Sequence, residues 1–167
     1  MDISRFHSLI VSIHVIGVIV FVVAHAVSAV VVLLVWRERN TETLRRLLNL
    51  SRWSLLVALV GLAAWFLGGL LAGFSGNWWT TGRYWIWAAV VLAVVLIGVM
   101  TPMGRIYLNR VREAVGVDPN TGKVDSSKQV DPAAVDAAVK SGQPLLLAVL
   151  GFGGLAILYW LMVAKPF

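Results

Sequence analysis

The chain predicts an all-α fold, an integral membrane bundle of four antiparallel helices with both termini outside. Three observations carry that expectation. Hydrophobic residues fill 59% of the 167 positions and charged ones only 13%, with a mean hydropathy of +0.85; a soluble domain needs roughly a quarter charged residues to cover its surface. Four apolar runs reach the ~17–25 residues that a membrane-spanning helix requires. Lys and Arg collect in alternate connections between those runs. The length suits one domain over residues 1–167.

The first run, 6–36, carries no Asp, Glu, Lys or Arg. Ala24-His25-Ala26 has the small-x-small spacing of a signal-peptide cleavage site, but the apolar run continues through Val35, so an uncleaved helix is expected. Spanning ~46 Å at 1.5 Å per residue, it must tilt or project beyond the bilayer. The second run covers 53–74, the third 84–101 and the fourth 144–163. All four are continuous rather than alternating, which argues against strands.

Orientation follows from charge. The connection 37–52 holds Arg37, Arg39, Arg45, Arg46 and Arg52. The connection 102–143 holds Arg105, Arg110, Arg112, Lys123, Lys128 and Lys140. Only Arg5, Arg83 and Lys165 lie on the other side, so the positive-inside rule makes both connections cytoplasmic loops. Trp78, Trp79, Tyr84, Trp85 and Trp87 gather at the short outer loop, where aromatic rings anchor at headgroup level or, alternatively, line a sugar or quinone site. The net charge of +6 sits beside apolar runs and suits anionic lipid; no basic stripe with interleaved aromatics points to nucleic acid.

Within the long connection, 105–115 reads as an extension of the third helix and 116–122 as turns. Asp131-Pro132 begins a short helix through Lys140, with Asp as N-cap. Asp118, Asn120 and Asp125 lack the ligand spacing of an EF-hand. In the second run, Ala64, Gly68 and Ala72 recur every four residues beside Gly69 and Gly73, and the fourth run has Gly151, Gly153 and Gly154. Such positions let helix backbones approach closely in lipid.

The residues able to carry chemistry are few. There is no cysteine, which excludes disulfides, thiolate metal sites and a cysteine nucleophile. The apolar runs hold no carboxylate for a relay or a protease dyad, and no nucleophile elbow or phosphate loop occurs. His7, His14 and His25 are separated by 7 and 11 residues, which at ~100° per residue places them within ~20° of one helix face, ~10.5 and ~16.5 Å apart in height. An imidazole inside an apolar run is a functional candidate. Three readings stay open: packing through hydrogen bonds to Ser28, Thr101 or a backbone carbonyl; ligation of a haem b or another tetrapyrrole by His14 or His25; or a proton or ion path. A second axial ligand for an iron would come from Met100, Met103, Met162 or a histidine of a second copy.

Ile13-His14-Val15-Ile16-Gly17 followed by Phe21 resembles the opening of the first helix in three related groups. These are the copper-resistance CopD-like domain, uncharacterised four-helix membrane proteins, and the four-helix membrane protoporphyrinogen oxidase family. The likeness extends to the four-helix plan, to basic residues such as Arg37 and Arg39 after the first helix, and to the Pro102 region after the third. It implies that His14 is the position of interest, since one of those groups binds haem. His25 departs from the small residue of the pattern, and the further histidines and intramembrane charges of the catalytic family are missing, so oxidase activity and copper transport do not carry over. The sequence thus points to a non-catalytic membrane protein or subunit, with a small transporter or a purely structural subunit as alternatives. Its partners are the lipid bilayer and either further copies of itself or a larger membrane complex.

Overall fold

The computed structural model describes residues 3–79, 83–125 and 127–166. Its order is α1 (Ile3–Arg37), α2 (Thr41–Ser75), α3 (Tyr84–Ala114), α4 (Pro132–Lys140) and α5 (Pro144–Ala164). The protein is all-α, with four helical stretches long and apolar enough to cross a membrane; the fourth runs from α4 into α5. The centre of the loop between α2 and α3, position 126 and the extreme termini lie outside the described residues.

Two 35-residue helices, α1 and α2, meet at a connection of only Glu38, Arg39 and Asn40. Glu38 Oε1 accepts from the backbone N–H groups of Arg39 and Asn40, at 2.7 and 2.8 Å, which turns the chain. Asn40 then caps α2 by accepting from Thr43 N–H at 3.0 Å, and Glu42 in the first turn complements the helix dipole. Here the structure corrects the expected loop 37–52, because helix α2 begins at Thr41. The reason is periodicity: Leu44, Leu47 and Leu48 fall on one face and join the core at this end, while Arg46 is exposed and Arg45 donates to the Val115 carbonyl at 2.9 Å.

The expected extension of the third helix over 105–115 is present: α3 runs from the apolar run through Pro102 to Ala114 without a break. Proline removes the amide that would bond to the Gly98 carbonyl, and the residues beyond it are held by packing of Tyr107 and Val111 in the basic-end core. Helix α4 forms as expected, Asp131 accepting from Ala133 N–H at 2.9 Å with Pro132 in the first turn. Val117 and Val124 form an isolated antiparallel bridge, and Gly116 and Gly122 at φ 71° and 72° supply the left-handed turns beside it.

The helices alternate in direction and associate as two pairs. Helix α1 packs along α2, and α3 along α5, while α1 meets α5 more briefly and α2 scarcely touches α3. The α1–α2 seam is glycine-lined. A Cβ at Gly17 would run into the α2 backbone at Ala64 and Trp65, one at Gly61 into Phe21, and one at Gly68 into the backbone of His14. Both ends of the described chain lie at the aromatic end, where His7 contacts Trp78 and Lys165 sits 5.6 Å from the Trp85 ring centre. At the opposite, basic end, Val31, Val35, Leu44, Leu48, Val111, Val115 and Val139 form a closed core.

Candidate functional site on the first helix

The shared face predicted for the three histidines is turned into the protein, and each ring meets a different setting. His7 Nδ1 lies 2.7 Å from Ser75 Oγ at the end of α2, with its ring edge-on to Trp78. His14 is half-buried at the α1–α2 seam, where Nδ1 lies 2.7 Å from the Trp65 backbone carbonyl oxygen. A carbonyl only accepts, so His14 Nδ1 donates in this contact. Gly69 makes this contact possible, since a Cβ there would stand 2.9 Å from Nδ1.

His25 lies against α5. Its ring stacks on Phe21 at 5.7 Å and meets Phe152 edge-on at 5.8 Å. Nε2 is buried with no hydrogen-bond partner among the described residues and faces the α5 backbone at Gly151. His25 Cε1 and Met100 Cε each lie 3.0 Å from the point a Gly151 Cβ would occupy. The structure therefore brings His25 and Met100 together at the place that the missing side chain of Gly151 leaves open. Ser28, one turn along α1, bonds instead to Ser54 Oγ at 2.8 Å, and Ser54 donates on to the Ser51 carbonyl at 3.0 Å.

Sequence reasoning missed the Trp65 carbonyl, which like any backbone acceptor has no signature of its own. Gly69 and Gly151 were the available signal, as two small residues that admit imidazole rings. Phe21 and Phe152 were missed as the apolar walls around His25. At the aromatic end the rings engage one another: Trp78 with Trp85 at 6.5 Å, and Trp79 with Phe74 and Trp87 at 5.5 and 5.1 Å, Gly73 leaving room for the Trp79 indole.

Among the described residues no cluster of three or more His, Asp or Glu side chains could hold a metal ion. Asp118 and Asp125 direct their oxygens to their own turns. Asp118 Oδ1 accepts from Asn120 and Thr121 N–H, at 2.7 and 2.9 Å, and Asp125 Oδ1 from Ser127 N–H and Oγ–H. These bonds hold both carboxyls below the usual aspartate range.

Comparison with protein-family models, curated proteins and solved structures found no match. The first-helix likeness described above therefore rests on its few residues, and no family is identified. The chain is an integral membrane protein with four spans.

Proposed function

We propose that this protein is a non-catalytic membrane component that holds a tetrapyrrole, haem b or a relative of it, on His14. The observation that carries the reading is the 2.7 Å contact between His14 Nδ1 and the Trp65 carbonyl. A ring nitrogen donating to a backbone carbonyl fixes the tautomer, orients the imidazole and raises the basicity of the other nitrogen, as outer-shell partners of metal-bound histidines do. His14 would hold the group through its second ring nitrogen. His25 and Met100 meet beside Gly151, and this reading does not call on them. When bound, the group would supply one-electron chemistry or light absorption; the chain's own part is to hold Nε2 of His14 in a fixed direction.

A transport reading has less support. The three rings are ~10.5 and ~16.5 Å apart along α1, and His7 and His14 bond separately to α2 rather than to each other. The same proposal includes the orientation, with the basic end in the cytoplasm and both termini outside.

Purification from haem-replete cells tests the ligand claim. A Soret band should be present, lost in His14→Ala and kept in His25→Ala. An absent band, or one unchanged in His14→Ala, overturns the claim and leaves the His14 contact as packing. Orientation is tested by single cysteines in a chain that has none. Ser75→Cys should react with an impermeant reagent in intact cells and Ser127→Cys should not; the reverse pattern overturns it.

A further inference from the structure

Helices α2 and α3 meet at the basic end, where Leu44 and Leu48 pack on Val111 and Val115, and then separate. The resulting cleft has a volume of about 540 Å³ and is lined by apolar groups, among them Leu59, Leu62, Phe66 and Leu67 of α2 with Val94 and Gly98 of α3. From Leu59 to Leu67 it follows α2 for ~12 Å, close to the ~15 Å of hydrocarbon in one leaflet.

Its basic mouth is built from the same helix faces. Arg52 precedes Leu59 by seven residues and Arg105 follows Gly98 by seven. Each therefore sits within ~20° of the cleft-lining face and ~10.5 Å nearer the basic end. Arg112, a further seven residues along α3, reaches across to donate to the Leu48 carbonyl of α2 at 3.5 Å. The Arg52 and Arg112 guanidinium groups are near enough to repel one another. Ion pairs among the described residues join Arg39 and Lys140 to Asp136, and Arg46 to Glu42; none involves Arg52, Arg105 or Arg112. Asp118 is near Arg52, but its Oδ1 accepts two backbone amides of its own turn. Arg52 itself donates to the Thr121 carbonyl.

We propose that this cleft binds an anionic glycerophospholipid, with an acyl chain along the α2–α3 gap and the phosphate on Arg52, Arg105 and Arg112. The two halves of the site match the two halves of that ligand. The mouth carries three arginines outside the ion pairs of the described residues, and a phosphate offers their guanidinium groups charge-assisted hydrogen bonds. The apolar part runs ~12 Å along α2, and the arginines stand ~10.5 Å beyond its lining residues on the same helix faces. The inference does not depend on the tetrapyrrole reading, because no histidine lines the cleft.

Gly98 provides the test, because a Cβ placed there meets nothing within 4 Å. Gly98→Leu should fill the cleft without disturbing the fold. With the full chain in a neutral detergent, added phosphatidylglycerol should raise Tm by about 5 °C. Phosphatidylcholine or inorganic phosphate should move it by less than about 1 °C. Gly98→Leu should keep the lipid-free Tm and lose the phosphatidylglycerol shift, and Arg105→Gln should reduce that shift. Four results would overturn the proposal: no shift with phosphatidylglycerol, an equal shift with phosphatidylcholine, a shift from phosphate alone, or a full shift in Gly98→Leu. Should Gly98→Leu fail to fold, the response of Arg105→Gln decides: an undiminished shift overturns the proposal.

Discussion

The basic end and the apolar middle of this protein are held together by different forces. At the basic end large side chains are closed away from water: Val35, Leu44, Val111 and Val139 are fully buried, and Leu48 is 1% exposed. Each such burial contributes about 1.5–3 kcal/mol through the hydrophobic effect. In the middle the surroundings are apolar whichever way a side chain points, so facing inward brings little, and most large residues of the spans point outward. There the α1–α2 seam depends on the smallest residues, Gly17, Gly61 and Gly68, which let backbones touch. Removing bulk should therefore harm the basic end, and adding bulk should harm the seam.

The largest expected effect tests the first half of that contrast. Leu48→Ala opens a cavity in the closed core and should cost about 2–5 kcal/mol. Leu56→Ala, at a position 50% exposed on the same helix, should change stability by less than about 0.5 kcal/mol. Reversible unfolding of both variants in mixed micelles measures the difference. Equal effects would break the comparison, because the two ends would then share one driving force.

Adding bulk reverses the pattern. Gly17→Ala pushes a methyl group into the Ala64–Trp65 backbone and should cost about 1–3 kcal/mol. Gly98→Ala places the same methyl group in open space and should be neutral or stabilising by up to about 1 kcal/mol from helix propensity. Thermal melts of the pair decide; a tolerated Gly17→Ala would show that the seam gives way. Gly69→Ala extends the argument to the candidate site, since its Cβ displaces His14 from the Trp65 carbonyl. It should weaken the tetrapyrrole band described above while leaving the seam's backbone contacts in place.

A smaller effect belongs to a single hydrogen bond in the basic-end core. Tyr107 donates its hydroxyl to the Val139 carbonyl at 3.2 Å, joining α3 to α4. Tyr107→Phe keeps the ring and its packing and removes only this hydrogen bond, which should cost about 0.5–1.5 kcal/mol. Faster hydrogen exchange confined to α4 would accompany it. Unchanged stability and exchange would instead show that Tyr107 acts through packing alone.

What could be read from the sequence divides along the same line. The four spans were legible because lipid imposes one rule, a long apolar helix, on every crossing segment. The segment Thr41–Arg52 was misread because its arginines outweighed the Leu44, Leu47 and Leu48 spacing that makes it a helix. The extension of α3 past Pro102 was legible, and the packing of Tyr107 and Val111 holds it there. The glycine seam was visible in Ala64, Gly68 and Ala72, and so was the common face of His7, His14 and His25. The partners of those histidines were not, because the Trp65 carbonyl belongs to the backbone and Ser28 had the closer choice of Ser54. The α2–α3 cleft was also beyond reach, since it is a gap between faces that each look like lipid-exposed helix.

The smallest expected effect lies at the rim of the basic end, where water rather than packing sets the energetics. Asp118 is fully exposed, and its carboxyl is held below the ordinary aspartate value first by the Thr121 amide, then by that of Asn120, with Arg52 adding attraction. A carboxyl lowered by folding adds stability that is present above its unfolded pKa, ~3.9, and lost as pH falls through the lower folded value. The turn around Gly122 should therefore hold at neutral pH and loosen only in acid below the ordinary aspartate range, while the α1–α2 seam, which contains no carboxylate, stays unchanged. Amide proton shifts of Asn120 and Thr121 should titrate together with a midpoint under the ordinary aspartate value, and Asp118→Asn should abolish that titration. A midpoint at or above the ordinary value would show that the turn does not hold the ionised carboxylate, and that the 117–124 bridge rests on its glycines alone.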